Sequence, residues 1–213
     1  MRGVLTGATG GIGKAIKEEL ERSDFEVIPI KSRLQNSSKV EIEVKEILKG
    51  GDIDFLINSA GVGVFEPLET ISIDKIKSLI DINLIAPIIL SKLFLPSLKK
   101  TKGTIINITS IEALRASKFS SIYSASKAGL RHFGATLFEE VRKSEVRVCS
   151  INPDVSDTPF FENNRLKFEP VREEEFVINP KEIAKITYTI LTNKSIISDI
   201  TIRPIKVGIK KRS

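Results

Sequence analysis

The sequence has no tryptophan, one cysteine, one histidine and one methionine among 213 residues, and Gln35 is its single glutamine. Cys149 therefore cannot close an internal disulfide, and with His132 as the only imidazole the chain has too few soft ligands for a zinc site. Long apolar runs are scarce as well. The longest, 84–96, contains Ser91 and Lys92 and falls short of the roughly 20 apolar residues that span a bilayer, so no transmembrane helix is expected. Residues 1–7 turn glycine-rich before a signal-peptide apolar region could form, and the expected location is the cytoplasm. Neither sign of charge dominates: 33 basic residues against 27 acidic ones give a net +6, ordinary for a solvated surface. The basic run 206–212 has no aromatic stacking platform beside it and reads as a solvated tail, so no nucleic-acid or membrane partner is expected. With 41% hydrophobic residues, a mainly disordered chain is excluded.

What is present is an alternation of short β-branched runs with longer amphipathic stretches, without internal repeats or a Pro/Ser linker. The runs 3–6, 27–30, 55–58, 104–108, 146–151 and 200–202 read as strands, and several are apolar on both faces. Strands buried on both faces belong to a parallel sheet covered by helices, expected here at 11–23, 38–49, 73–98, 121–143 and 181–192. The fold expected is α/β, a doubly wound parallel sheet in three α/β/α layers, as one domain over 1–213. Asn179, Pro180 and Glu182 supply a cap, a first-turn proline and a capping-box carboxylate for the last helix. Within 73–98, Pro87 has no N–H to give to the Asn83 carbonyl, so a bend is expected there and that carbonyl needs another partner, most cheaply a water.

The string Thr6-Gly7-Ala8-Thr9-Gly10-Gly11-Ile12-Gly13 follows the first strand and opens the first helix. Glycines there let the backbone turn sharply and approach a pyrophosphate, whose charge rests on unpaired N–H groups at the positive helix end. Gly7, Thr9, Gly11, Ile12 and Gly13 are the expected contacts. The string fits both TGxxxGxG and TGxxGxxG, so by itself it leaves two families open. About twenty residues later, where an NAD-selective chain offers a carboxylate to the ribose diol, Lys31-Ser32-Arg33 stands instead. Two cations around a small hydroxyl suit a 2′-phosphate, so NADP(H) is expected over NAD(H), with Gln35 facing the adenine.

Tyr123 and Lys127 are four apart on one expected helix, hence on one face. A cation near a phenol lowers the phenol's pKa from about 10 into a range useful for proton transfer, and a lowered Tyr123 is the expectation. Ser110 lies at the end of the strand 104–108, where doubly wound sheets place their ligands.

These residues resemble the short-chain dehydrogenases/reductases of the classical type over nearly the whole chain. The resemblance rests on Thr6-Gly7-x-x-x-Gly11-x-Gly13, Asn58-Ser59-Ala60-Gly61, Asn83, Ser110, Tyr123-x-x-x-Lys127, and Pro153 with Thr158. It implies a Rossmann fold in which one helix and most of a strand are trimmed after Arg33. It also implies a hydride transfer between a nicotinamide and a carbonyl or alcohol carbon of a small substrate, with Tyr123 as general acid/base. In that reading Ser110 holds the reacting oxygen, Lys127 binds the nicotinamide ribose, and a water on Asn83 continues the proton relay. Asn58, Ala60, Gly61, Pro153, Ser156 and Thr158 join Tyr123 and Lys127 as implied cofactor contacts. Asp154 stands where the family usually has glycine and Ser156 where it often has valine, so the loop over the nicotinamide is expected to differ. The stretch 158–178 corresponds to a substrate lid, in which Phe160, Phe161 and Phe168 serve as anchors or as simple packing. The end of the chain looks like short NADP-dependent members acting on hydroxy acids or small polar alcohols. Assembly as a homodimer or homotetramer through 73–98 and 121–143 is implied as well. Tyr188 is expected in the core, His132 on the surface and Cys149 buried in its strand. The competing functions are an NADP(H)-binding regulator or scaffold without turnover, and a sugar-nucleotide epimerase or dehydratase.

Overall fold

The computed structural model describes residues 1–161, 168–171, 173–206 and 208–211, with only the backbone at 161, 168–170 and 209–211. All six expected strands form: β1 Arg2–Thr6, β2 Glu26–Pro29, β3 Phe55–Asn58, β4 Thr104–Ile108, β5 Arg147–Pro153, and, after the short β6 Phe168–Pro170, β7 Asp199–Ile202. They make one parallel sheet in the order β2-β1-β3-β4-β5-β7, in which β1 lies between β2 and β3 and the winding changes direction there. The C-terminal β8, Ile209–Lys211, pairs antiparallel with β6.

Successive strand residues face opposite sides of a sheet, and here both sides are apolar. Leu5, Ile57, Ile106, Cys149 and Ile151 pack toward helices α1 (Gly11–Arg22) and, from later in the chain, Pro180–Thr192. Val4, Leu56, Ile105 and Val148 pack on the other side against α2 (Ser37–Lys49) and the longer helices of the chain's middle. Fully burying an aliphatic or phenyl side chain is worth roughly 1.5–3 kcal/mol. Packing on both faces therefore outweighs local signals such as the Asn36 cap on the Lys39 N–H, worth about 1 kcal/mol.

The expected helix 73–98 is three consecutive pieces: α3 Ile73–Ile80, a π turn at Asp81–Ile85, and α4 Ala86–Thr101. The Ala86 N–H reaches back to the Asp81 carbonyl, one residue farther than in an α-helix, so the missing N–H of Pro87 falls in the first turn of α4. By length and composition alone Ile73–Thr101, with a hydropathy of 1.8, could cross a membrane. In the fold Leu79, Leu90, Phe94 and Leu98 are buried, which is the character of a core helix. The helix α5 Ser121–Val141 lies beside it, and α6 Pro180–Thr192 starts as expected, with Asn179 accepting from the Lys181 N–H and Pro180 in the first turn.

The region after Arg33 is short, as expected: a turn with the Asn36 N–H on the Arg33 carbonyl leads straight into α2. No strand intervenes, so β2 is the sheet edge and α2 packs directly beside it. Glu162, Arg165, Lys167, Arg172 and Arg212, and the side chains of Phe161 and Phe168, lie outside the described residues.

Candidate active site

A cavity of about 560 Å³ opens at the C-terminal ends of the central strands. At one end stands the glycine string. Thr6 closes β1 and its Oγ1 accepts from the Ser59 and Ala60 N–H groups, 3.0 Å each, tying the loop after β3 to the string. Gly7 sits at φ +70°, and a Cβ there would lie 2.8 Å from the Ala60 nitrogen. A Cβ on Gly13 would lie 2.1 Å from the Gly7 carbonyl oxygen, and one on Gly11 would lie 2.4 Å from Thr158 Cγ2. Backbone excludes a side chain at Gly7 and Gly13, and one at Gly11 would have to push Thr158 aside; what remains is a backbone cradle at the start of α1, a shape and polarity suited to a dinucleotide pyrophosphate.

At the other end Ser110, Tyr123 and Lys127 line the same cavity. Lys127 is buried, and its Nζ donates to the Ile108 carbonyl at 2.9 Å and lies 5.9 Å from the centroid of the Tyr123 ring. Burial holds its ammonium down at about 8. The expectation of a lowered tyrosine is not met in the polypeptide by itself, where the Tyr123 phenol is pushed up to about 12. Burial is the main cause and the Glu112 charge adds to it, while a hydrogen bond with Ser110 pulls the other way. Spacing places the amine near the ring but says nothing of how dry the pocket is.

Asn83 is fully buried behind this end. Its Oδ1 accepts from the Val62 N–H and its Nδ2 donates to the Val62 carbonyl, both 2.9 Å, and Nδ2 also donates to Ser126 Oγ at 3.1 Å. The Asn83 side chain thus clamps the loop carrying Gly61, whose own Cβ would come 3.2 Å from Lys127 Nζ.

Among the other expected contacts, Thr9, Ile12, Ala60, Gly61, Pro153, Ser156 and Thr158 border the cavity. Asn58 does not, because its Nδ2 donates to Asn107 Oδ1 at 2.9 Å inside the sheet. Lys31, Ser32 and Arg33 stand off the cavity wall at the end of β2, and Gln35 Nε2 donates to Ser78 Oγ at 3.2 Å. Cys149 is buried and His132 exposed, as expected. Tyr188 packs on Phe25 with ring centroids 5.8 Å apart.

Phe160 and Asp154 were singled out in the sequence, whereas Phe65, Glu112, Arg115 and Glu43 went unread there. Phe65 lies 5.1 Å from Tyr123 and Phe160 lies 5.7 Å from it, centroid to centroid, so the tyrosine sits in an aromatic wall. Buried Glu112 gathers the hydroxyls of Ser117, Ser120 and Ser124 and the Arg115 Nε, at 2.9 to 3.2 Å. Arg115 continues to Asp154 Oδ1 at 3.3 Å, and Arg203 Nε lies 3.4 Å from Asp154 Oδ2. The departure at Asp154 is therefore an ion-paired post that joins the loop after β5 to Arg115, between β4 and α5, and to Arg203, just past β7. Glu43, on α2, receives the Lys31 and Ser32 N–H groups at 2.8 Å each.

The chain is similar to known proteins in both sequence and fold. A sequence model of the family described as short chain dehydrogenase matches residues 34–168. An uncharacterized oxidoreductase of Staphylococcus aureus (strain MRSA252) is 32% identical across 95% of this chain and 96% of its own length, and one from Staphylococcus saprophyticus is 30% identical over the same shares. The structure of an alcohol dehydrogenase from the archaeon Thermococcus sibiricus, complexed with 5-hydroxy-NADP, superposes with a TM-score of 0.87 at 25% identity, covering 97% of this chain and 98% of that one. A 4-hydroxyisoleucine dehydrogenase complexed with NADH gives 0.83 at 26%, with 95% and 96% covered. Sequence and fold agree over nearly the full length, and the chain belongs to the short-chain dehydrogenase family of oxidoreductases, with their Rossmann fold.

Proposed function

We propose that this protein is an NADP(H)-dependent oxidoreductase that interconverts a carbonyl and an alcohol on a small substrate, as one domain over 1–213 with a lid at about 158–178. The observation carrying this reading is that Ser110, Tyr123 and Lys127 share one cavity with the glycine cradle of Gly7, Gly11 and Gly13. When bound, the nicotinamide supplies or accepts the hydride.

The chain's own residues do the rest. In reduction the Tyr123 phenol gives its proton to the substrate oxygen, and in oxidation the phenolate takes it back. The Ser110 hydroxyl holds that oxygen. Lys127, charged below about 8, binds the ribose hydroxyls and supports the phenolate. The Asn83 carbonyl, denied an α-helical donor by Pro87, anchors the water that passes the proton on. Phe65 and Phe160 exclude water beside the phenol and favour a substrate with an apolar group next to its carbonyl.

The preference for NADP(H) rests on Lys31 and Arg33 at the end of β2. Similar structures carry either coenzyme, 5-hydroxy-NADP in one and NADH in another. A homodimer or homotetramer through the helices α3 to α5 is part of the same reading. The test is parallel fluorescence titration with NADPH and NADH, then turnover across a carbonyl panel. NADPH binding tighter, Arg33→Ala weakening NADPH selectively, and NADPH consumption with a panel carbonyl are expected. Tighter NADH binding overturns the coenzyme assignment, and binding without any turnover overturns the enzyme.

A further inference from the structure

The loop Lys31-Ser32 begins where β2 ends, directly beside the glycine string. Pro29 pairs with Leu5, and the Ile30 N–H donates to the Leu5 carbonyl at 3.1 Å, so Lys31 and Ser32 lie next to the Thr6-Gly7 turn. Two successive backbone N–H groups there point at one acceptor and form an anion nest. The acceptor is internal: Glu43 Oε1 takes the Lys31 N–H and Oε2 the Ser32 N–H, each at 2.8 Å. Among the described residues neither the Lys31 ammonium nor the Arg33 guanidinium makes an ion pair, so the two cations remain open to a ligand while the two N–H donors are taken.

The trimmed fold explains why a helix residue can do this. With no further strand after β2, α2 packs at the sheet edge, with Val40 and Val44 buried in the same cluster as Val4. Glu43, one residue before Val44, is thereby carried to the loop.

We propose that Glu43 is a specificity-determining residue, an internal anion that the 2′-phosphate of NADP(H) must displace from the Lys31 and Ser32 N–H groups and that NAD(H) leaves in place. The inference rests on the coenzyme reading above and deepens it. A phosphate ester and a carboxylate cannot share two donors without repelling each other. Lys31 and Arg33 then attract the phosphate, and Glu43 sets how large their advantage becomes.

The experiment is fluorescence titration of wild type, Glu43→Gln and Glu43→Ala with NADPH and with NADH, with circular dichroism on each variant. Gln keeps the size and one acceptor but carries no charge, which guards against a folding failure of Ala. The expected result is NADPH binding tightened about tenfold in Glu43→Gln, the range of one charge interaction, with NADH changed much less. Parallel changes in both coenzymes, or weaker NADPH binding, overturn the proposal while leaving the redox reading intact. Failure of wild type to bind either coenzyme removes both.

Discussion

Asn83 closes a two-way hydrogen bond on the backbone of Val62: Val62 gives its N–H to Oδ1 and receives Nδ2 on its carbonyl, at 2.9 Å in both directions, while Nδ2 also reaches Ser126 Oγ. The carboxamide therefore holds the loop bearing Gly61, whereas the proton relay proposed above uses the backbone carbonyl of the same residue. Asn83→Ala keeps that carbonyl and leaves the Val62 groups unpaired. Denaturant unfolding is predicted to show a loss of about 1–3 kcal/mol, with the coenzyme KM rising more than kcat falls. A fall in kcat with stability and KM untouched would assign the side chain to the chemistry.

Tyr123→Phe removes one hydroxyl from a wall already built of Phe65 and Phe160. The fold and coenzyme binding should persist. Turnover is predicted to drop about 10²–10⁴-fold, the usual worth of a positioned acid/base group, measured as NADPH oxidation beside a binding titration.

Glu112 raises the proton affinity of Tyr123 while organising Ser120 and Ser124 at the start of α5. Glu112→Gln removes the charge and retains an acceptor. Alcohol oxidation needs the phenolate, so the rising limb of its pH profile is predicted to move to lower pH in this variant. A limb that stays put or moves upward contradicts the electrostatic role.

Lys127 titrates near 8 in the fold against an ordinary 10.5, so between those values the unfolded chain binds more protons and wild-type stability rises with pH. Below 8 the buried ammonium costs about 3 kcal/mol. Lys127→Met is thus predicted to be more stable than wild type at pH 7, with the gap closing as pH rises toward 10.5, in urea unfolding at several pH values. A variant less stable at pH 7 contradicts this account of the burial.

The strands were legible because β-branched runs apolar on both faces have few uses outside a parallel sheet, as in 104–108. The glycine string was legible because Gly7 and Gly13 serve a backbone need that no other residue meets. Pro87 announced a missing donor, but the register that absorbs it, the π turn at Asp81–Ile85, is not written in the local sequence. Asn58 sits in a motif shared with the family, yet its orientation follows from pairing opposite Asn107 in β3 and β4. The Tyr123 pKa depends on dryness, which spacing does not encode. Glu43 lies on a different element from the loop it binds, and only the shortened connection brings it there.

The central claim is that Tyr123 and Lys127 face the reactive ring of a bound dinucleotide, and a crystal structure with NADP(H) tests it most directly. The account predicts the pyrophosphate on the backbone of Gly11 to Gly13 and the nicotinamide against Tyr123 and Lys127. A nicotinamide ring bound away from those two side chains would contradict it.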